Sequence, residues 1–226
     1  RYFVGGTQIF RSDEELPLEL SSSEEKAFLE LLKTQIPLSN IVIISDYNKG
    51  VMTKTLVEKI VKIAKESGVK VIADPKTNDY TKYKNCNFIK PNFKEFTEMV
   101  NFCGKDLVNE KTASEIAKLN GNDAIIVTLG AGGMFYASNS GISYTQKGEP
   151  TTVVDVCGAG DTALSYLAVG IVNGLTPNEC MILANNASSK KIQKIGACGV
   201  SANELFTPLT KIITANEIPT LLKTLK

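Results

Sequence analysis

The 226-residue chain contains no histidine and no tryptophan. Without an imidazole, Ser-His-Asp hydrolysis, histidine-ligated metals and histidine general bases are excluded, and proton transfer falls to Asp, Glu, Lys or Tyr. An excess of either charge is also missing. The 25 Lys and Arg residues stand against 24 Asp and Glu, a net charge of +1, which gives no general field for nucleic acid or an anionic membrane. A small anion would have to be held locally. Cys86, Cys103, Cys157, Cys180 and Cys198 are five in number with no CxxC pair, a pattern of free thiols in a reducing compartment rather than a disulfide framework or zinc site. Apolar runs fall short of the ~20 residues that span a bilayer, and no secretory signal is legible, so a cytoplasmic location with no membrane partner is expected.

What is present is alternation. Ile41 to Ser45, Lys70 to Ala73, Asn87 to Lys90 and Ala124 to Thr128 read as strands, and helical patterns fall between them near Ser23 to Ile36, Thr53 to Ser67, from Asn92, and Thr112 to Leu119. Alternating strands and helices imply an α/β fold with a mostly parallel sheet, and residues 1–226 read as one domain. The unbroken apolar run Ile41 to Ser45 predicts a strand covered on both faces. Tyr2 to Val4 and Gln8 to Phe10 suggest a hairpin or two edge strands, and Met134 to Tyr136 with Ile142 to Tyr144 an antiparallel addition. Further helices are expected at Asp161 to Asn173, Pro177 to Lys191 and Glu217 to Leu225.

The chain is organised around Val153 to Thr162. A β-branched run, then Gly158-Ala159-Gly160, then a helical pattern reads as a strand turning sharply into the buried end of a helix. Small residues admit a ligand close to the backbone, and the free amides of a first helical turn favour an anion. A carboxylate at Asp161 could take a proton from an attacking hydroxyl while the Gly158, Ala159 and Gly160 amides hold charge developing on a phosphoryl group. From this stretch alone, the alternative that Asp161 merely stabilises its own helix end stays open. Asp46, Lys49, Asp74, Lys76, Lys90, Asn92, Glu95, Thr128, Gly130 and Asp155 all follow predicted strands and should share one edge, where open α/β sheets bind ligands.

Asp155-Val156-Cys157-Gly158-Ala159-Gly160-Asp161, Thr128-Leu129-Gly130-Ala131-Gly132-Gly133 and Pro91-Asn92-Phe93-Lys94-Glu95, in register, resemble the ribokinase-like (PfkB) carbohydrate kinases. Ser45 to Gly50, Asp74-Pro75-Lys76 and Arg11-Ser12-Asp13 narrow the resemblance to the D-glycero-D-manno-heptose 7-phosphate kinase branch, the kinase part of ADP-heptose synthases. It runs from about Arg11 to Leu205. The resemblance implies a three-layer sandwich and ATP- and Mg²⁺-dependent phosphoryl transfer to a sugar hydroxyl. Asp161 would be the base, and Gly158, Ala159 and Gly160 the anion hole. Asn92 and Glu95 would organise Mg²⁺ through water. ATP would be bound by Lys90, Thr128, Gly130, Gly133 and Asn186, the glycines admitting its phosphates. Arg11, Asp46, Lys49, Lys76 and Asp155 would face a small-molecule sugar phosphate, whose charge suits lysine and arginine.

The same resemblance implies lid strands within residues 1–11, a homodimer formed through them, and a nucleotidyltransferase domain that accompanies such kinases, fused or separate. Cys157 stands where the family has Thr or Ser. The family's amino-terminal Gly-Gly-Asn stretch has no counterpart before Arg1, so the expected sandwich lacks its amino-terminal part. Two other readings stay open: another sugar or nucleoside kinase of the same family, and a fragment that binds nucleotide without catalysis.

Overall fold

The computed structural model describes residues 2–4, 7–10, 12–14, 18–77 and 79–206. Strands β1 (Tyr2–Val4) and β2 (Thr7–Phe10) form the expected hairpin, a separate two-stranded antiparallel sheet with the Tyr2 and Phe10 rings stacked at 4.0 Å. Helix α1 (Ser22–Gln35) starts one residue before the predicted Ser23. Ser21 caps it, and Glu24 reaches back to the Ser21 amide, so two unpaired amides are satisfied at once. The chain then alternates through β3 (Ile41–Ser45), α2 (Lys54–Glu66), β4 (Lys70–Asp74), β5 (Phe88–Ile89), α3 (Phe93–Phe102), α4 (Glu110–Asn120) and β6 (Ala124–Thr128). Strands β7 (Met134–Ser138) and β8 (Ser143–Gln146) follow, then α5 (Ala159–Val172), α6 (Pro177–Ile192) and α7 (Ala202–Phe206). The helix expected at Glu217 to Leu225 lies outside the described residues.

The main sheet has the order β3-β4-β5-β6-β7-β8. Strands β3 to β6 pair in parallel, and β7 and β8 add antiparallel. Side chains alternate across the sheet with the two-residue period. Val71, Ala73, Ile125 and Val127 point into one core with α2, α3 and α4, whereas Ile72 and Ile126 point into another with α5 and α6. Helices thus cover both faces of a mostly parallel sheet, the three-layer arrangement expected.

Strand β3 departs from expectation. It lies at the edge of the sheet and Ile43 is 42% exposed, because the layer of α5 and α6 does not cover this side chain. An unbroken apolar run reports strand propensity but not how far the next layer extends. A second departure is the run Val153 to Val156, which forms no strand. The Val154 and Asp155 amides both donate to the Ile192 carbonyl at the end of α6, and all three valines are exposed. These β-branched residues dock on a helix end rather than on the sheet.

Candidate active site

The turn into α5 is built by a carboxylate and a glycine. Asp155 Oδ1 accepts from the Cys157 amide at 2.9 Å and Oδ2 from the Gly196 amide at 2.8 Å, tying the approach to the loop after α6. Asp155 is therefore held within the turn and lines neither of the cavities described below. Gly158, the N-cap of α5, has φ 76°, a left-handed conformation that costs a side chain about 1 kcal/mol or more. No side chain caps this terminus. Gly160 and Asp161 are exposed, so the helix begins at the surface rather than at a buried end.

Asp161 faces the ends of β3 and β4 across a cavity of about 160 Å³ lined by Ser45, Asp46, Tyr47, Asp74, Lys76, Gly158, Gly160 and Asp161. Tyr47 donates its hydroxyl to Asp161 Oδ1 at 3.4 Å. Asp74 lies on the floor and pairs with Lys90, which does not line the cavity, is 2% exposed and has its Nζ 3.2 Å from Asp74 Oδ1. Burial pushes the Asp74 carboxyl above its ordinary range, with Lys90 opposing. Lys76 stands at the rim, its Nζ 2.5 Å from Glu95 Oε1. Burial draws this ammonium down, but the hydrogen bond and charge of Glu95, with Asp74 and Asp161 adding, carry it above its ordinary value.

Asp46 is buried and fully engaged. It accepts from Tyr83 Oη at 2.7 Å, Lys82 Nζ at 2.5 Å and the Asn48 amide at 2.7 Å. Burial, followed by this hydrogen bond to Asp46, raises the Tyr83 phenol. Asp46 thus braces the β3 strand end and reaches the cavity as part of its wall. Lys49 is exposed beyond it and lines neither cavity. Arg11 lies outside the described residues.

Asn92 and Glu95 form a capping box at the start of α3. Asn92 Oδ1 accepts from the Glu95 amide at 2.9 Å and Glu95 Oε2 from the Asn92 amide at 2.8 Å. Asn92 also bridges to Thr128 at the end of β6. No cluster of three or more His, Cys, Asp or Glu residues that could cage a metal occurs among the described residues. Glu95 Oε1 nonetheless already faces a cation, the Lys76 ammonium. That single carboxylate suits Mg²⁺, which keeps several of its waters and reaches such sites on phosphates.

The loop from Thr128 to Gly133 is a tight turn between β6 and β7, with Gly130 at φ 59°. At Gly133 a Cβ would lie 2.1 Å from the Gln146 carbonyl oxygen and 2.4 Å from the Gly148 nitrogen, so the glycine there admits neighbouring backbone rather than a ligand. Asn186 is exposed on α6. A second cavity of about 440 Å³ shares Gly158 and Asp161 with the first and is completed by Thr162, Ser165, Tyr166, Lys191 and Ala197 to Val200. Sequence reasoning passed over Lys191 and Tyr47. The signal for Lys191 was its spacing from Ala184 and Ala187, which places it on the buried face of α6.

Comparison with known proteins agrees with this fold. The chain is 36% identical over 210 residues to the bifunctional protein HldE of Desulfatibacillum aliphaticivorans, and 33% identical over 214 residues to that of Hyphomonas neptunium. These matches cover 92% and 93% of the chain but 43% of each relative, so the chain spans less than half their length. Among solved structures, phosphofructokinase-2 from Escherichia coli in complex with potassium matches with a TM-score of 0.70 at 21% identity, over 83% of this chain and 61% of that one. Arabidopsis thaliana ribokinase complexed with ribose and ATP matches with a TM-score of 0.62 at 24% identity, over 80% and 57%. At these identities the structures show a shared ribokinase-like fold. The model of the pfkB family carbohydrate kinases matches residues 17–204, and the chain belongs to that family.

Proposed function

We propose that this chain is an ATP-dependent sugar-phosphate kinase domain that phosphorylates O1 of D-glycero-D-manno-heptose 7-phosphate, a step toward ADP-heptose and bacterial surface glycans. The observation that carries the reading is the single cavity in which Asp161, the Gly158 and Gly160 turn and Lys76 meet at the strand ends. Asp161 accepts the proton of the attacking sugar hydroxyl, with Tyr47 orienting its carboxylate. Amides of the α5 turn receive the charge that develops on the phosphoryl group. Lys76, which lines the cavity, attracts the phosphate the substrate already carries. Mg²⁺ would be held by Glu95 and Asn92 through its waters and would supply charge neutralisation for the nucleotide phosphates. The heptose assignment is supported by the relatives named HldE.

The test is thermal unfolding with a Mg²⁺-bound ATP analogue, with heptose 7-phosphate, and with both, followed by a phosphoryl-transfer assay over a panel of sugar phosphates and nucleosides. Stabilisation by each ligand, a further shift with both, and the highest kcat/KM for heptose 7-phosphate are expected. Preferential turnover of another acceptor would overturn the substrate, and nucleotide binding without any transfer would overturn the activity.

A further inference from the structure

Lys191 is 1% exposed, and its Nζ makes no hydrogen bond with any described residue. A buried ammonium without hydrogen bonds costs stability unless something occupies its donor positions. Its stem runs beneath the N-cap of α5: a Cβ on Gly158 would sit 3.5 Å from Lys191 Cε. This 14-residue helix has no capping side chain, so its first-turn amides and dipole add positive potential beside the lysine. Lysine and helix terminus both line the cavity of about 440 Å³. The hydroxyls on the same wall are already donating, Thr162 to the Gly158 carbonyl, Ser165 to that of Asp161 and Tyr166 to that of Val200. Asp155, the acid within the turn, accepts the Cys157 and Gly196 amides. Two positive poles thus meet at one cavity whose hydroxyls are engaged and whose lining carboxylate, Asp161, is exposed.

We propose that this cavity binds a phosphate oxyanion between Lys191 Nζ and the first turn of α5, making Lys191 an internal cation for the transferred phosphoryl group. The role in transfer rests on the kinase reading above; the anion site does not. Because Asp161 lines this cavity and the strand-end cavity alike, charge placed at Lys191 acts directly behind the reacting atoms. Two sources share this chemistry, the phosphate chain of a nucleotide and a phosphate monoester.

The experiment is calorimetric titration of the full chain with inorganic tripolyphosphate and, separately, orthophosphate, comparing wild type with Lys191→Met, Lys191→Arg and Lys190→Met. Lys191→Met keeps the stem and removes the charge. It is expected to weaken tripolyphosphate binding at least about ten-fold, which corresponds to ~1.4 kcal/mol, and to raise the melting temperature of the ligand-free protein. Lys191→Arg should retain most of the affinity, and Lys190→Met should stay within about two-fold of wild type, as befits a charge outside the site. Orthophosphate binding with the same Lys191 dependence assigns the site to a monoester, and binding of tripolyphosphate alone assigns it to a phosphate chain. Equal binding by Lys191→Met, equal losses at Lys190 and Lys191, or no binding of either anion by wild type would overturn the proposal. If Lys191→Met does not fold, Lys191→Gln carries the same comparison. Anion binding through Lys191 in a protein that transfers no phosphoryl group would leave this site standing and sink the kinase reading.

Discussion

Among the described residues, 24 buried ones on one face of the sheet join α2, α3, α4 and the strands into a continuous core, with α1 packed on its margin. On the other face, 10 of the described residues are buried and hold α5 and α6. The thick side has no share in the Asp161 turn; the thin side supplies Gly158, Gly160, Asp161 and Lys191. Burial that anchors a helix also seals it, and a first turn that must receive a ligand cannot be sealed. The comparison therefore predicts that substitutions separate into those that unfold the protein and those that stop transfer.

The largest effect should come from Asp161→Ala, which removes the proposed base. Turnover of heptose 7-phosphate is expected to fall ~10²- to 10⁴-fold, while stability changes by less than ~1 kcal/mol because Asp161 is exposed and loses only its interaction with the helix end and a 3.4 Å hydrogen bond from Tyr47. Steady-state kinetics beside a denaturant melt would check this, and near-normal turnover would remove Asp161 from the chemistry. Next come two leucines of identical chemistry, both 0% exposed, one in each core. Leu56→Ala should cost close to the upper end of the ~2–5 kcal/mol range and Leu167→Ala close to the lower, as the thinner layer can relax around the cavity. Leu167→Ala should also depress kcat more than its stability loss explains, since it loosens the helix that carries Asp161. Equal costs with equal kcat would dissolve the contrast between the faces.

Smaller effects sharpen the border between the two sides, where α3 begins. Asn92→Ala should lose ~1 kcal/mol of capping, and Asn92→Ser should restore it. If Asn92 also organises Mg²⁺, Asn92→Ser keeps the stability but not the Mg²⁺ dependence of turnover; a full kinetic rescue would reduce Asn92 to a cap. The smallest effect is at Asp74. Its carboxyl is raised by burial, so its contribution to stability is complete below the ordinary aspartate range and is lost as pH rises through the raised value. Unfolding measured from about pH 7 down to about pH 4 should show stability rising through that window by at most ~1.4 kcal/mol per pH unit for one proton. The rise should be absent in Asp74→Asn, and an unchanged slope would remove Asp74 as its origin.

The sequence reveals the helices of both sides, α5 and α6 included, but not how the turn into α5 is docked. Strands such as Ala124–Thr128 and the Thr53 and Asn92 caps are local features, written as β-branched runs and polar residues before apolar ones, and the structure repeats them almost residue for residue. Val153 to Val156 has the same local signature, yet its amides bond the end of α6 instead of a strand. Asn92 and Glu95 were legible as a motif but ambiguous in meaning, since one geometry serves both a helix cap and a cation-facing carboxylate. Gly133 was read as making room for a phosphate; the backbone of the β8 end occupies that room. Lys191 was illegible by type, because a lysine on a helix ordinarily faces water, and only its register with Ala184 and Ala187 marks it.

Two ion pairs of opposite accessibility each place one member, Asp74 or Lys76, on the strand-end cavity. Asp74 and Lys90 are withdrawn from solvent, whereas the Lys76 side chain opposite Glu95 is 41% exposed. Dissolved ions screen exposed charges within about 8 Å at physiological ionic strength and reach buried ones far less. Added salt should therefore loosen the Lys76 rim, where the proposed sugar phosphate would arrive, and leave the floor's electric field intact, so that ionic strength would govern capture of that ligand separately from the potential it meets once inside.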